Sequence, residues 1–146
     1  MVDIYARLGV RIAILGYNSR NAFGDGCQEP GNAGLSMLRR RFVREMNRAG
    51  VMIDLSHVGV RTALDTIAAS AVPVLISHSN PTALRPHARN VSDEMIMACA
   101  DQGGVIGKRG KSVGAAAGQA GRSRALTKWS SCSINMCPTT LSLLPR

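Results

Sequence analysis

The sequence predicts an α/β protein built around a parallel sheet. Two apolar runs, residues 51–55 and 72–76, are separated by a segment with helical spacing, and each run is followed by Ser-His. Short apolar runs that alternate with helical segments are typical of parallel strands buried on both faces. The repeated dipeptide places one histidine, His57 or His78, just past the end of each predicted strand. These two βα units organise the rest of the chain.

The first part of the chain is predicted to contain a helix, a strand and a long loop. The helix covers residues 1–8 and ends at Gly9, and the strand covers residues 10–15. Residues 16–34 are rich in Gly, Asn, Asp and Pro and show no periodicity. Loops of this length in compact domains are commonly functional, so we expect this loop to overhang the strand ends that carry the histidines.

Three helices are predicted after the loop. The first follows the N-cap Ser36 and ends at Gly50, and the last follows the N-cap Ser92 and ends at Gly103. Apolar stripes should face the sheet: Leu38, Phe42, Val43 and Met46 in the first helix, and Val60, Ala63, Leu64, Ile67 and Ala68 in the second. The solvated face of the first helix is expected to hold its arginines: Arg39, Arg40, Arg41, Arg44 and Arg48. With a strand at residues 105–106, residues 1–107 have the order β-α-β-α-β-α-β.

His57 and His78 are 21 residues apart, the length of one strand, one helix and two short loops. Adjacent parallel strands, about 4.8 Å apart, bring equivalent positions to the same sheet end, where α/β proteins place ligands. Neutral imidazole is a common zinc ligand, so the pair is a candidate metal site; a structural role is the alternative. No further zinc ligand stands nearby at the usual spacing. The next loop adds Arg85, His87 and Arg89, and an arginine there suits a carboxylate.

Composition and charge limit the other classes of function. The chain has 146 residues, enough for one domain, with 18 Lys+Arg and 9 Asp+Glu. Residues 1–107 contain 11 of the basic and all 9 acidic residues, so residues 108–146 form a basic tail with 7 basic residues and no acid. Its composition predicts little order. Trp129 is its one aromatic residue, which offers few stacking surfaces for nucleic acid.

The cysteines and the apolar runs carry no strong signal. Cys27, Cys99, Cys132 and Cys137 form no CxxC motif, so free thiols are expected. No apolar run is long enough for a transmembrane helix, and residues 1–5 lack the pattern of a signal peptide. These features favour a cytoplasmic location.

Four motifs together resemble one family. They are GDGCQEPGNAGLS (residues 24–36), REMNRAGVMIDLSHVG (residues 44–59), ISHSNPTALRPHARNVSDE (residues 76–94) and GGVIG (residues 103–107). In this order they resemble the membrane dipeptidase, or renal dipeptidase, family of zinc metallopeptidases. The resemblance covers residues 8–107, approximately, and does not extend into the basic tail.

The resemblance implies a fold, an activity and roles for several residues. Family members are (α/β)8 barrels of the TIM type that hold two zinc ions and hydrolyse dipeptides with a free C-terminal carboxylate; this chain would supply three to four βα units. By motif match, His57 and His78 would be ligands of one zinc, and Arg89 would bind the substrate carboxylate. Tyr17 occupies the position of a histidine that helps to polarise the scissile carbonyl, where a tyrosine hydroxyl could donate a hydrogen bond.

The chain also departs from the family pattern. The amino-terminal HxD motif, the bridging glutamate and a later proton-handling aspartate have no counterpart, and the sequence diverges after Gly107. We therefore expect a barrel fragment, truncated in front and read out of frame behind, with at most a weak partial zinc site and no activity alone. Its open sheet edges favour self-association. A non-enzymatic chain whose tail engages nucleic acid or acidic partners is the alternative.

Overall fold

The computed structural model describes residues 1–109 and the pair 133–134, which form one parallel sheet with helices between the strands. The elements are α1 (Val2–Arg7), β1 (Ile12–Ile14), α2 (Met37–Arg48), β2 (Met52–Asp54), α3 (Val60–Ala69), β3 (Leu75–Ser79), α4 (Asp93–Asp101), β4 (Val105–Lys108) and β5 (Ser133–Ile134). The strand order is β1-β2-β3-β4-β5, and every pair is parallel. The predicted α/β class is confirmed.

The two faces of the sheet differ in what covers them. Sequential parallel strands with right-handed crossovers place their helices on one face. Ile53, Ile76 and Ile106 lie on that face and are fully buried. On the opposite face the register aligns Ile14 with Asp54 and Leu75 with Val105. Ile14 is 38% exposed and Val105 is 36% exposed. The described residues therefore leave this opposite face, called the inner face below, partly open.

The helix boundaries follow the predicted caps. The hydroxyls of Ser36 and Ser92 each accept a hydrogen bond from the backbone N–H three residues later, at 3.3 Å in both cases. Gly50 (φ +67°) and Gly103 (φ +79°) follow the last turns of α2 and α4 in the left-handed conformation that glycine adopts without strain. These N-caps and terminal glycines are where the sequence predicted them.

The buried faces of two helices were predicted only in part: Val43, Met46, Ala63 and Ile67 are buried as expected, but other positions differ. In α2, Leu38 is exposed while Arg39 is fully buried, because the guanidinium donates to the Leu15 carbonyl at 3.0 Å beneath the long loop. In α3, Ala68 is exposed, while Thr62 and Thr66 are buried. The threonine hydroxyls bond to backbone carbonyls, Thr66 Oγ1 to that of Thr62 at 2.6 Å, which satisfies them inside the protein.

The basic tail is described only in part. Lys108 completes β4, one residue beyond the predicted domain boundary, and Arg109 donates its N–H to Ser79 at 3.1 Å. Ser133–Ile134 pairs with β4, where no strand was predicted. The expectation of low order for the rest of residues 108–146 lies outside the described residues. Among the described helices, none is long and apolar enough to span a membrane.

Candidate metal centre

The histidines approach each other at the carboxyl ends of β2 and β3. His57 follows β2, as predicted, but His78 lies inside β3 rather than past it. Between Ile76 and Ser79 the register with β4 shifts, so that β3 contains one extra residue there. Such a bulge re-aims side chains and is common beside active sites. No sequence pattern signalled this irregularity, which falls at the position of His78.

The backbone at His57 is held in an unusual conformation by the long loop. Its φ is +68°, which is uncommon for a residue with a side chain and persists where surrounding contacts enforce it. The His57 carbonyl accepts backbone hydrogen bonds from Asn18 at 3.2 Å and from Cys27 at 2.9 Å. The loop therefore closes over the site, as the sequence analysis expected, and it fixes the histidine as it does so.

The two imidazoles point at each other. The Nε2 atoms of His57 and His78 are 3.0 Å apart, and the ring centroids are 5.1 Å apart. Tyr17 stacks on His57 with centroids 4.1 Å apart and an angle of 22° between the rings. Tyr17 is also 64% exposed, so its ring forms an accessible wall of the site.

Arg89 lies beside the histidines and is nearly buried. One terminal nitrogen donates to the His78 carbonyl at 2.8 Å, while Nε has no hydrogen-bond partner among the described residues. An unpaired buried donor is costly unless a ligand uses it. The neighbouring residues of this loop are less involved: Arg85 and His87 are exposed, and His87 Nδ1 accepts the Arg89 backbone N–H at 3.0 Å.

Burial and positive charge keep both imidazoles neutral. Burial, reinforced by Arg89 and His78, lowers the pKa of His57 to about 4. Burial and Arg89 also lower the pKa of His78. Burial likewise lowers the pKa of Arg89. Since a metal binds the neutral imidazole, the two histidines are in the protonation state that coordination requires.

The donor set fits two of the ligands of a zinc ion. Two nitrogens on one tetrahedral zinc, with bonds of about 2.0–2.1 Å, are separated by roughly 3.3 Å, close to the observed 3.0 Å between the Nε2 atoms. Among the described residues there is no group of three or more His, Cys, Asp or Glu side chains that could hold a metal. The described part of the chain therefore offers a two-nitrogen site.

A hydrogen-bond network behind the histidines was not predicted. Asn18 Oδ1 lies 2.7 Å from His57 Nδ1, and Ser77 Oγ lies 2.8 Å from His78 Nδ1. Asp54 accepts from the Ser77 hydroxyl and from the backbone N–H groups of Ser56 at 2.9 Å and Ser77 at 3.0 Å. The signal available in the sequence was the Asp-x-Ser-His order of residues 54–57, which places an acceptor beside the repeated Ser-His.

A parallel α/β sheet with functional side chains at the carboxyl ends of its strands is the arrangement of α/β-barrel enzymes, which place their active sites there. Residues 1–108 match the family model of the membrane dipeptidases, peptidase family M19. The chain belongs to this family.

Individual relatives agree with the family assignment. The dipeptidase tcpJ of Claviceps purpurea is 41% identical over 108 residues, which are 73% of this chain and 25% of that protein. An amidohydrolase structure from Pseudomonas aeruginosa has 46% identity and a TM-score of 0.70, covering 73% of this chain and 33% of that one. A metallopeptidase from Rhodobacter sphaeroides, solved with a phosphinate mimic of the dipeptide L-Ala-D-Ala, has 28% identity and a TM-score of 0.67. The match covers 72% of this chain and 32% of that one. The chain thus spans a quarter to a third of these relatives.

Proposed function

We propose that this chain carries part of a zinc-dependent dipeptidase site, in which His57 and His78 hold one ion. The convergence of their Nε2 atoms at 3.0 Å, in a chain of this family, is the observation that carries the proposal. Zinc, when bound, would polarise the scissile carbonyl and lower the pKa of the attacking water. The relatives' names as dipeptidases support a dipeptide as the substrate.

The chain's own residues would bind and orient the substrate. Arg89, whose Nε has no partner among the described residues, would donate hydrogen bonds to the C-terminal carboxylate of a dipeptide. Tyr17, stacked on His57 and exposed, would donate its hydroxyl to the substrate carbonyl. The guanidinium, which contacts His78, and the phenol, which stacks on His57, would together set the direction of the peptide.

We further propose that the two-histidine site binds zinc weakly and that this chain alone does not hydrolyse dipeptides. Two protein ligands leave most of the coordination sphere to water, where catalytic zinc sites use three protein ligands. Calorimetric titration of the chain with zinc, beside a dipeptidase assay, tests both statements. We expect weak binding that His57→Ala and His78→Ala each abolish, no effect of His87→Ala, and no turnover. Zinc-dependent turnover that is lost in His57→Ala would refute the inactivity and support the site.

The role of Arg89 can be tested without turnover. A phosphinate mimic of a dipeptide should bind the zinc-loaded chain, and Arg89→Met should weaken its binding by at least tenfold because a charged hydrogen bond to the carboxylate is lost. The same mimic with an amidated C-terminus should bind both proteins equally. If Arg89→Met weakened both ligands to the same degree, the arginine would act on the fold of the site rather than on the carboxylate.

A non-enzymatic role is the alternative, and the observation that favours it is the charge of residues 108–146, with 7 basic residues and no acid. Binding to nucleic acid or acidic partners through these residues would weaken steeply with salt. Zinc-dependent chemistry would instead respond to chelators. Titration with an oligonucleotide at two salt concentrations separates these alternatives.

A further inference from the structure

We propose that Asn18 and the Asp54–Ser77 pair are positioning residues that hold His57 and His78 as Nδ1–H tautomers. Both Nε2 lone pairs then converge on one locus before any ion arrives. The consequence for zinc rests on the proposed function, whereas the tautomers belong to the zinc-free chain. The inference follows from the direction of each hydrogen bond behind the two rings.

The first step is the orientation of the Asn18 amide. Its Oδ1 accepts a hydrogen bond from the Cys27 thiol at 3.5 Å and lies 2.7 Å from His57 Nδ1. The Asn18 backbone is held as well, because its N–H donates to the His57 carbonyl at 3.2 Å and its carbonyl accepts from the Gln28 N–H at 2.9 Å. Since Oδ1 can only accept, His57 Nδ1 carries the proton and Nε2 is bare.

The second step is the direction of the bonds around Ser77. Its single hydroxyl proton goes to the Asp54 carboxylate, which can only accept. Ser77 Oγ must then accept from its other neighbours, the Ser56 hydroxyl at 3.0 Å and His78 Nδ1 at 2.8 Å. Ser56 Oγ in turn accepts the His78 backbone N–H at 3.2 Å. Every donor in this network has an acceptor, and His78 is left with a bare Nε2.

The two steps together leave two lone pairs facing each other at 3.0 Å. Two acceptors at this distance repel, whereas a cation bound to both nitrogens turns the repulsion into coordination. The arrangement is therefore one in which the protein has oriented its ligands in advance, as hydrogen-bonded partners commonly do for metal-binding histidines.

The experiment measures the tautomers directly in the full chain. Two-bond ¹H–¹⁵N correlation spectra of the zinc-free protein distinguish a protonated Nδ1 from a protonated Nε2 for each of its three histidines. We expect Nδ1–H at His57 and His78, and the opposite tautomer at His87, whose Nδ1 accepts a backbone hydrogen bond. Replacing each histidine by glutamine in turn assigns the signals.

The variants separate positioning from folding. Asn18→Gly, which suits the backbone φ of +60°, should allow the Nε2–H tautomer at His57 alone. Ser77→Ala should allow it at His78 alone. Each should weaken zinc binding about 10–100-fold, while Asn18→Asp and Ser77→Thr retain the wild-type tautomers and affinity. Asn21→Ala is the matched control, because Asn21 lies in the same loop and bonds to Leu15 and Phe23 instead of a histidine.

Two results would overturn the positioning role. An Nε2–H tautomer at His57 would make the 3.0 Å contact an ordinary histidine–histidine hydrogen bond. Weakened zinc binding in Asn18→Gly and Ser77→Ala with unchanged tautomers would show that these residues act only on the fold. If the expected tautomers are found and the wild-type chain binds no zinc, the proposed function fails while the positioning stands.

Discussion

Arg39 lies on the loop-covered side of α2 and is fully buried, although only one of its nitrogens has a hydrogen-bond partner among the described residues. Burial lowers its pKa to about 10, so the guanidinium remains protonated at neutral pH. An unsatisfied buried donor costs about 1–3 kcal/mol. The free energy of unfolding should therefore be smaller than that of the same fold with an apolar side chain at this position.

We expect Arg39→Met to raise the free energy of unfolding by about 1–3 kcal/mol. The substitution removes unpaired buried donors, and the methionine fills the same buried space with an apolar side chain. The Leu15 carbonyl would still accept from Asn21 at 3.1 Å. Urea denaturation followed by circular dichroism measures the change, and the exposed Arg40→Met should have almost no effect. The positive charge of Arg39 is also attracted to the buried Asp25 carboxylate, and a loss of stability in Arg39→Met would show that this attraction outweighs the missing hydrogen bonds.

Gly26 is required for the loop to cross itself beside the site. A Cβ at this position would overlap the carbonyl group of Asn18, which belongs to the residue that contacts His57. Gly26→Ala should therefore displace Asn18 and weaken zinc binding about 10–100-fold, measured by calorimetry. Gly31→Ala is the control, because its Cβ would meet only the flexible end of Arg20 and a distant Asp25 oxygen. Equal effects of both variants would contradict this account.

Among the elements, the loop of residues 16–34 is held by one buried carboxylate. Asp25 accepts from Arg20 Nε at 2.6 Å and from the Ala33 backbone at 2.7 Å, and its own carbonyl accepts from Gly59 at 2.9 Å. The Arg20 hydrogen bond, followed by the Ala33 N–H, holds the pKa of Asp25 below its usual value. The folded state thus favours the ionised carboxylate.

A group whose pKa is lower in the folded state stabilises the fold at pH values above its unfolded pKa of about 3.9. That stability should be lost as the pH falls below this value through the folded pKa. We expect Asp25→Asn to be less stable than wild type at neutral pH and to lose less stability on acidification. Urea midpoints measured between pH 6 and pH 3 test this, with Asp3→Asn as the control, because the Asp3 carboxylate is half-exposed and paired with the exposed Arg48. Parallel curves for wild type and Asp25→Asn would contradict it.

At the scale of the whole molecule, the main feature is a sheet face that the described residues leave partly open. Parallel sheets are normally covered on both faces, yet Ile14, Met52 and Val105 are 36–38% exposed. In the described residues β1 pairs with β2 alone, which leaves one edge of the sheet open. Apolar faces and free edges of this kind favour association.

We expect a second copy of the chain to cover this face, so that the protein self-associates in solution. Light scattering after size-exclusion chromatography should show a mass that rises with concentration, and Ile14→Lys combined with Met52→Glu should lower it. Leu38→Lys, which changes an exposed apolar residue on the helical side, should leave the mass unchanged. A monodisperse wild-type monomer with a sharp cooperative melt would disprove this expectation.

The sequence by itself determined the order of helices and strands as far as β4, the capping serines, the terminal glycines and the histidine pair. These features depend on short-range periodicity, on hydrogen bonds over three residues, and on the strand–helix–strand spacing of parallel sheets. The family motifs added roles for Tyr17 and Arg89, which the structure brings beside the histidines; those roles remain predictions.

Only the tertiary structure decided which helix faces are buried, where His78 lies in its strand and what holds each imidazole. Arg39 is buried because the Leu15 carbonyl, 24 residues away in the chain, accepts its hydrogen bond. The His57 ring depends on Asn18, 39 residues away, and His78 on a bulge that appears only when β3 pairs with β4. Contacts between residues distant in sequence leave no local period, so apart from the Asp-x-Ser-His order of residues 54–57 no pattern in the chain indicated them.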